Sequence, residues 1–163
     1  MQTFEITSGK IRVTDPCYTR NGNPNNVLET CVSGTWVARL TTSNQGEWGI
    51  RTAELEIRHQ DYQAFDADTL TPVDVSVDSG QAGFFDDDLY PDGPRVYNDR
   101  ESFYGKICNG TVGTGKLANI EFGVASATGF GDGSYECYIG TNDIGQIVSA
   151  KIVFIKEDDD DDQ

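Results

Sequence analysis

Residues 120–155 read IEFGVASATGFGDGSYECYIGTNDIGQIVSAKIVFI, and their patterning decides the fold class. Ile120, Phe122 and Val124 alternate with other residues toward Gly129, Asp132-Gly133 is a tight-turn dipeptide, and Tyr135, Cys137 and Ile139 alternate on the return. Asn142 to Gly145 turns the chain again before Ile147 to Ile155. A period of two places every second side chain on one face of a pleated strand. The stretch therefore predicts a three-strand antiparallel meander.

The same period runs upstream. Phe4-Glu5-Ile6 and Ile11-Arg12-Val13 flank Ser8-Gly9 and predict a hairpin, which Asp15-Pro16 ends because proline has no N–H to donate. Arg20 to Asn26 is a polar loop, Trp36 to Leu40 a strand interior, and Asn44-Gln45-Gly46 a turn into a strand from Trp48 to His59. Within that strand Ala53, Leu55 and Ile57 share one face while Glu54, Glu56 and Arg58 share the other, the pattern of a sheet with one wet side. Val73, Val75 and Val77 form another short strand, and Asp86 to Pro94 an acidic loop. Asp61 to Pro72 stays open between a helical turn and a loop. Asp99 to Cys108 is the predicted helix, capped by Asn98 or Asp99, with Phe103, Tyr104 and Ile107 at helical spacing. The fold class is mostly β: an antiparallel sandwich or open barrel with one short helix and the C-terminal meander.

A length of 163 residues fits a single domain, placed at residues 1–156. The formal net charge is -15, and Glu157 with Asp158 to Asp162 supplies six of the 27 acids. Such a run repels itself, so residues 157–163 are expected to be a disordered acidic tail. The remaining 21 acids against 12 bases still make an acidic body, which lacks the cationic surface that binds nucleic-acid phosphates. Charged partners should instead be basic proteins or cations. No signal-peptide pattern opens the chain, and no apolar run reaches the roughly 20 residues of a membrane helix. These features predict a cytoplasmic protein that does not enter membranes, with Cys17, Cys31, Cys108 and Cys137 as reduced thiols.

Few residues carry a chemical signature. Gly110 to Lys116 approaches a phosphate-binding loop, but Leu117 stands where Ser or Thr would hold magnesium, and a strand rather than a helix should follow. His59 is the single histidine, so any Ser–His or Cys–His catalysis must use it; its position on the Leu55–Ile57 face predicts a structural role. The cysteines lack zinc spacing, and Cys17 would need Arg20 to become a reactive thiolate. Asp86-Asp87-Asp88 with Asp92 reads as a solvated acidic loop, since the EF-hand spacing for calcium is absent. No catalytic residue, metal site or cofactor is predicted.

Three blocks together resemble a family. Ser8-Gly9-Lys10 leading to Asp15-Pro16-Cys17-Tyr18, then Val77-Asp78-Ser79-Gly80-Gln81 with Phe84-Phe85-Asp86, then Thr128-Gly129-Phe130-Gly131-Asp132-Gly133-Ser134-Tyr135, resemble a set of uncharacterised bacterial and phage proteins related to a domain of unknown function. The similarity spans most of the chain outside the acidic tail. It implies no catalytic role, but it selects positions. Each block ends a strand with an acid beside Gly or Pro. If the three ends converge, Asp15, Asp78, Ser79, Gly80, Gly131 and Asp132 would form a polar rim walled by Tyr18, Phe85 and Tyr135, suited to a small polar ligand. The same residues are also what tight turns require.

The expected function is a non-enzymatic binding or interaction protein, in the manner of a phage-encoded inhibitor. It would take a small polar ligand at the rim or a basic protein partner on its acidic surface. The alternative is a hydrolase using two carboxylates, Asp78 and Asp132, with or without a divalent cation. Oligomeric state is not encoded in any visible pattern.

Overall fold

The computed structural model describes residues 2–20, 26–62, 73–93, 95, 99–112 and 115–155. Among them, the strands build two antiparallel sheets packed as an open sandwich. The larger sheet contains β1 (Gln2–Ile6), β4 (Gly34–Asn44), β5 (Ile50–His59), β11 (Ile147–Val153), β10 (Gly133–Thr141) and β6 (Val73–Val77), in that spatial order. The smaller contains β3 (Asn26–Leu28), β2 (Ile11–Thr14), β7 (Gln81–Asp86), β9 (Gly123–Ala127) and β8 (Leu117–Ile120). One helix, α1 (Phe103–Gly110), lies against β8.

Alternation explains the larger sheet. Leu55 and Ile57 of β5, Trp36 and Ala38 of β4, and Ile152 of β11 are buried in the core between the sheets. Each fully buried aliphatic chain contributes about 1.5–3 kcal/mol of transfer free energy. The outward residues are charged and paired across strands, as with Arg39 and Glu56 at 2.7 Å.

The smaller sheet is buried on both faces. Val13, Phe84 and Val124 face the sandwich core, while Phe85, Ala118 and Ala125 face outward into a second cluster with Ile107 and Tyr90. This double burial is why β2 and β7 are buried along their whole length. Glycine permits the closest approaches. A Cβ on Gly110 would stand 2.7 Å from the Ala118 Cβ, and one on Gly123 would stand 2.4 Å from the Phe85 ring.

Three expectations need correction. The predicted N-terminal hairpin is an arch: β1 pairs with β4, whereas β2 pairs with β3 and β7 in the opposite sheet. Alternation reports that both strands face one core, but not from which side. The Asp86 carboxylate holds the arch by accepting from the backbone N–H groups of Thr7 (2.6 Å) and Ser8 (3.1 Å). In the last third, β10 and β11 pair in succession, but β9 pairs with β7 and β8 rather than with β10. The helix starts at Phe103, later than expected. Its cap is Ser102, whose hydroxyl accepts the Gly105 N–H at 3.0 Å. Asp99 closes a separate turn by accepting from the Glu101 N–H at 3.0 Å, and Asn98 lies outside the described residues. So do residues 63–72 and 156–163, which include the acidic tail expected at 157–163. No described helix is long and apolar enough to cross a membrane.

Candidate functional site

The chain reversals after β2, β6 and before β10 meet at one end of the sandwich, and Asp15 is their hub. Its side chain is fully buried (0% exposed). Oδ1 accepts from the Cys17 N–H at 2.8 Å and the Ser79 hydroxyl at 2.6 Å. Oδ2 accepts from the Asp78 and Ser79 N–H groups, both at 2.7 Å. The carboxylate is thus saturated by donors of its own chain. It staples two turns rather than presenting itself to solvent.

The polar chain continues inward. The Ser79 hydroxyl lies 2.9 Å from the Gln81 amide, Gln81 Nε2 donates to Thr111 Oγ1 at 2.7 Å, and Thr111 Oγ1 donates to the Ile107 carbonyl at 3.0 Å. This links the turn to the last turn of α1. On the outside, the Tyr18 hydroxyl donates to Asp78 Oδ2 at 2.6 Å.

The third reversal joins through backbone. The Thr128 N–H donates to the Gly80 carbonyl at 2.9 Å, and Val77 pairs with Gly133 in the β6–β10 ladder. Gly131 is held by its carbonyl, which accepts from Thr128 Oγ1 at 2.6 Å and from the Tyr135 hydroxyl at 2.8 Å. Gly80 and Gly131 have φ of 74° and 87°, a region that side chains with a Cβ rarely adopt. Asp78 and Asp132 are exposed just beyond the Val77–Gly133 pair.

Phe85 does not join this end. It is fully buried near the far end of β7, packed against Tyr90 and Phe103 with ring centroids 5.4 Å away in each case. Tyr135 is half-buried edge-on to Phe154 at 5.2 Å.

Electrostatics at the hub disfavour nucleophilic chemistry. Burial, followed by the Asp15 and Asp78 charges, pushes the Cys17 thiol up to about 12. Arg20, the residue expected to activate it, instead pairs with Asp87 at 3.4 Å and Asp92 at 3.2 Å. Burial also pushes the Tyr104 phenol up to about 12, although a hydrogen bond with Ser79 opposes the shift. His59 is 4% exposed, with Nε2 2.9 Å from the Ser33 carbonyl and Nδ1 accepting the Asp61 N–H at 3.2 Å. Both ring nitrogens are therefore spent within the strand end. The Gly110–Lys116 segment follows a helix and precedes a strand, the reverse of the order a phosphate loop needs.

The acidic stretch expected to be solvated is instead partly buried, with Asp86 and Asp87 0% and 5% exposed and their carboxylates committed within the fold. Burial alone would raise the Asp86 carboxyl, but the N–H groups of Thr7 and Ser8 outweigh it and leave it below its ordinary value. Asp87 meets Arg12 at 2.8 Å, and Asp88 meets Lys10 at 3.4 Å. Among the described residues, no group of three or more His, Cys, Asp or Glu side chains has the arrangement to hold a metal ion.

A feature missed in the sequence adjoins the same end. Trp48 (68% exposed), Ile50 (51%) and Phe130 (52%) are large apolar side chains left in solvent. Arg51 lies among them in the fold: its Nε donates to the Trp48 backbone carbonyl at 2.8 Å and its guanidinium sits 5.6 Å from the Phe130 ring centroid. A cleft of ≈ 180 Å³ runs between Ile50, Arg51, Thr111, Thr128 and Gly129. Thr128 belongs to both this cleft and the bond to Gly80, so the patch continues the convergent turns. A Cβ on Gly129 would stand 2.8 Å from Ile155, so Ile155 packs directly against this end.

Fold and site together define an open antiparallel β-sandwich with a preformed, turn-built end. The chain matches no family model, no curated protein and no solved structure.

Proposed function

We propose that the chain is a non-enzymatic recognition protein that binds a basic protein partner through this end of the sandwich. The observation that carries the proposal is the exposure of Trp48, Ile50 and Phe130 at this end, with Arg51 set over the Phe130 ring and bonded to the Trp48 backbone. Exposed aromatic chains beside arginine are the composition of interface anchors. Contiguous exposed apolar surface marks an interaction site more often than scattered residues do. The rim is acidic: Glu47 precedes Trp48 and Asp132 follows Phe130 by two positions, and both are exposed. Complementary charge belongs to a cationic surface.

A small polar ligand at the rim is the weaker choice. The N–H groups of Asp78 and Ser79 that would receive it already donate to Asp15. The carboxylate-pair hydrolase gains only the shared location of Asp78 and Asp132, both exposed, with Asp78 accepting from Tyr18.

The test is capture from a bacterial lysate on immobilised full-length protein, at low and high salt. Wild type is compared with Trp48→Ser/Phe130→Ser and with Ile144→Ser, a control exposed at the opposite end of β10. The proposal expects a basic protein retained by wild type and control, and lost by the double variant and at high salt. The same proteins on all three baits would overturn it.

A further inference from the structure

The side of the sandwich where β1 and β8 stand next to each other holds a separate groove. The two edge strands are tied at one end, where the Glu5 N–H donates to the Glu121 carbonyl at 2.9 Å and Asn119 Nδ2 donates to the Thr3 carbonyl at 2.9 Å. At the other end they part. The space between Gln2 and Leu117 is a groove of ≈ 630 Å³, bordered by Ala38, Arg39, Leu40 and Lys116. That volume falls within the roughly 300–1,000 Å³ typical of small-molecule sites.

Its chemistry opposes that of the body. The protein has 27 acids against 12 bases, yet among the described residues bordering this groove there is no acid, while Lys116 and the Glu56-paired Arg39 are cations. Leu40 and Leu117 are partly buried against the core and offer an apolar surface. Lys116 is exposed and forms no ion pair among the described residues. Arg39, the other cation on the border, is already paired with Glu56 at 2.7 Å. Gly115, with φ of 75°, turns the chain so that Lys116 borders the groove.

We infer that this groove is a binding site for a small amphipathic anion, whose carboxylate or phosphate meets Lys116 while its apolar body lies on Leu40 and Leu117. The body's net charge repels anions at long range, so a ligand gains only by direct contact. Salt screens the repulsion within about 8 Å at physiological ionic strength. Neither a bare anion, which leaves the leucines uncovered, nor an apolar cation satisfies the groove.

The site is independent of the recognition surface and is tested separately on the full-length chain. Decanoate, phenyl phosphate, inorganic phosphate and decyltrimethylammonium are titrated while backbone amide shifts are followed by NMR. Decanoate or phenyl phosphate is expected to shift Leu40, Gly115, Lys116 and Leu117 saturably, and whichever binds tighter names the head group. Inorganic phosphate and the cationic amphiphile should leave these amides in place. Lys116→Glu should weaken binding about tenfold or more, as loss of a charge-assisted contact implies, while Trp48→Ser should bind as wild type. Shifts elsewhere, no saturation with either anion, or undiminished binding by a folded Lys116→Glu protein would overturn the inference.

Discussion

The Ser79 hydroxyl lies 2.6 Å from Asp15 Oδ1, joining two turns 64 residues apart in the chain. The Ser79 N–H meets the other oxygen of the same carboxylate at 2.7 Å, so serine and aspartate are clasped by two bonds. A buried carboxylate receiving this many donors is a structural fastener, and its loss strands every one of them. The consequences separate cleanly from those of its exposed neighbours.

Asp15→Ala should destabilise the protein by about 3 kcal/mol or more, because each stranded buried donor costs about 1–3 kcal/mol. For a domain of this size that lowers the melting temperature by roughly 6–12 °C. Asp78→Ala, which removes an exposed acceptor of Tyr18, should cost under about 1 kcal/mol. Thermal denaturation of the two variants side by side checks the contrast.

Cys17 should resist alkylation. With its thiol pushed up to about 12, little thiolate exists at neutral pH. Iodoacetamide at mild alkaline pH should modify native Cys17 on the order of a hundredfold more slowly than a free thiol. Asp78→Asn removes one of the charges that raise it and should speed the reaction. Mass spectrometry of the peptide containing Cys17 measures both rates.

Acid should weaken the arch between β1 and β2. The Asp86 carboxyl is held below its unfolded value of 3.8, so its contribution is fully present above that value. The contribution is lost as pH falls through 3.8 toward the lower folded value. Melting temperature should therefore drop across this acidic window in the wild type, and less steeply in Asp86→Asn. Parallel slopes would contradict the assignment.

Trp48→Ser and Phe130→Ser should leave stability within about 0.5 kcal/mol of wild type, since both side chains are largely in solvent. Partner binding should nevertheless be lost. Chemical denaturation together with the capture experiment distinguishes contact from folding.

The legible parts of the fold were those with one wet face. In β5, Leu55 and Ile57 alternate with Glu54 and Glu56 because solvent lies on one side. The smaller sheet gave no such signal, for β7 is covered on both faces and its Phe84 and Phe85 point into different clusters. That pair explains the misplacement of Phe85: consecutive residues on a strand face opposite ways, and only the packing tells which faces the end turns. The β1–β2 arch and the separation of β9 from β10 depend on pairing between distant strands, which local alternation does not encode. The turn residues Asp15, Asp78 and Gly131 were visible as turns, and their meeting was not, since nothing local links positions so far apart. Trp48 and Phe130 were hidden for another reason. An aromatic residue at a strand end reads as core until its surroundings are known.

Amide hydrogen exchange at Asp78 and Ser79 reports most directly on the preformed end from which recognition is proposed to arise. Both N–H groups donate to Asp15 rather than to a β ladder. They should exchange slowly in the wild type and lose that protection selectively in Asp15→Ala. Exchange at unprotected-peptide rates in the wild type would mean that the turns are not fastened and the preformed surface does not exist.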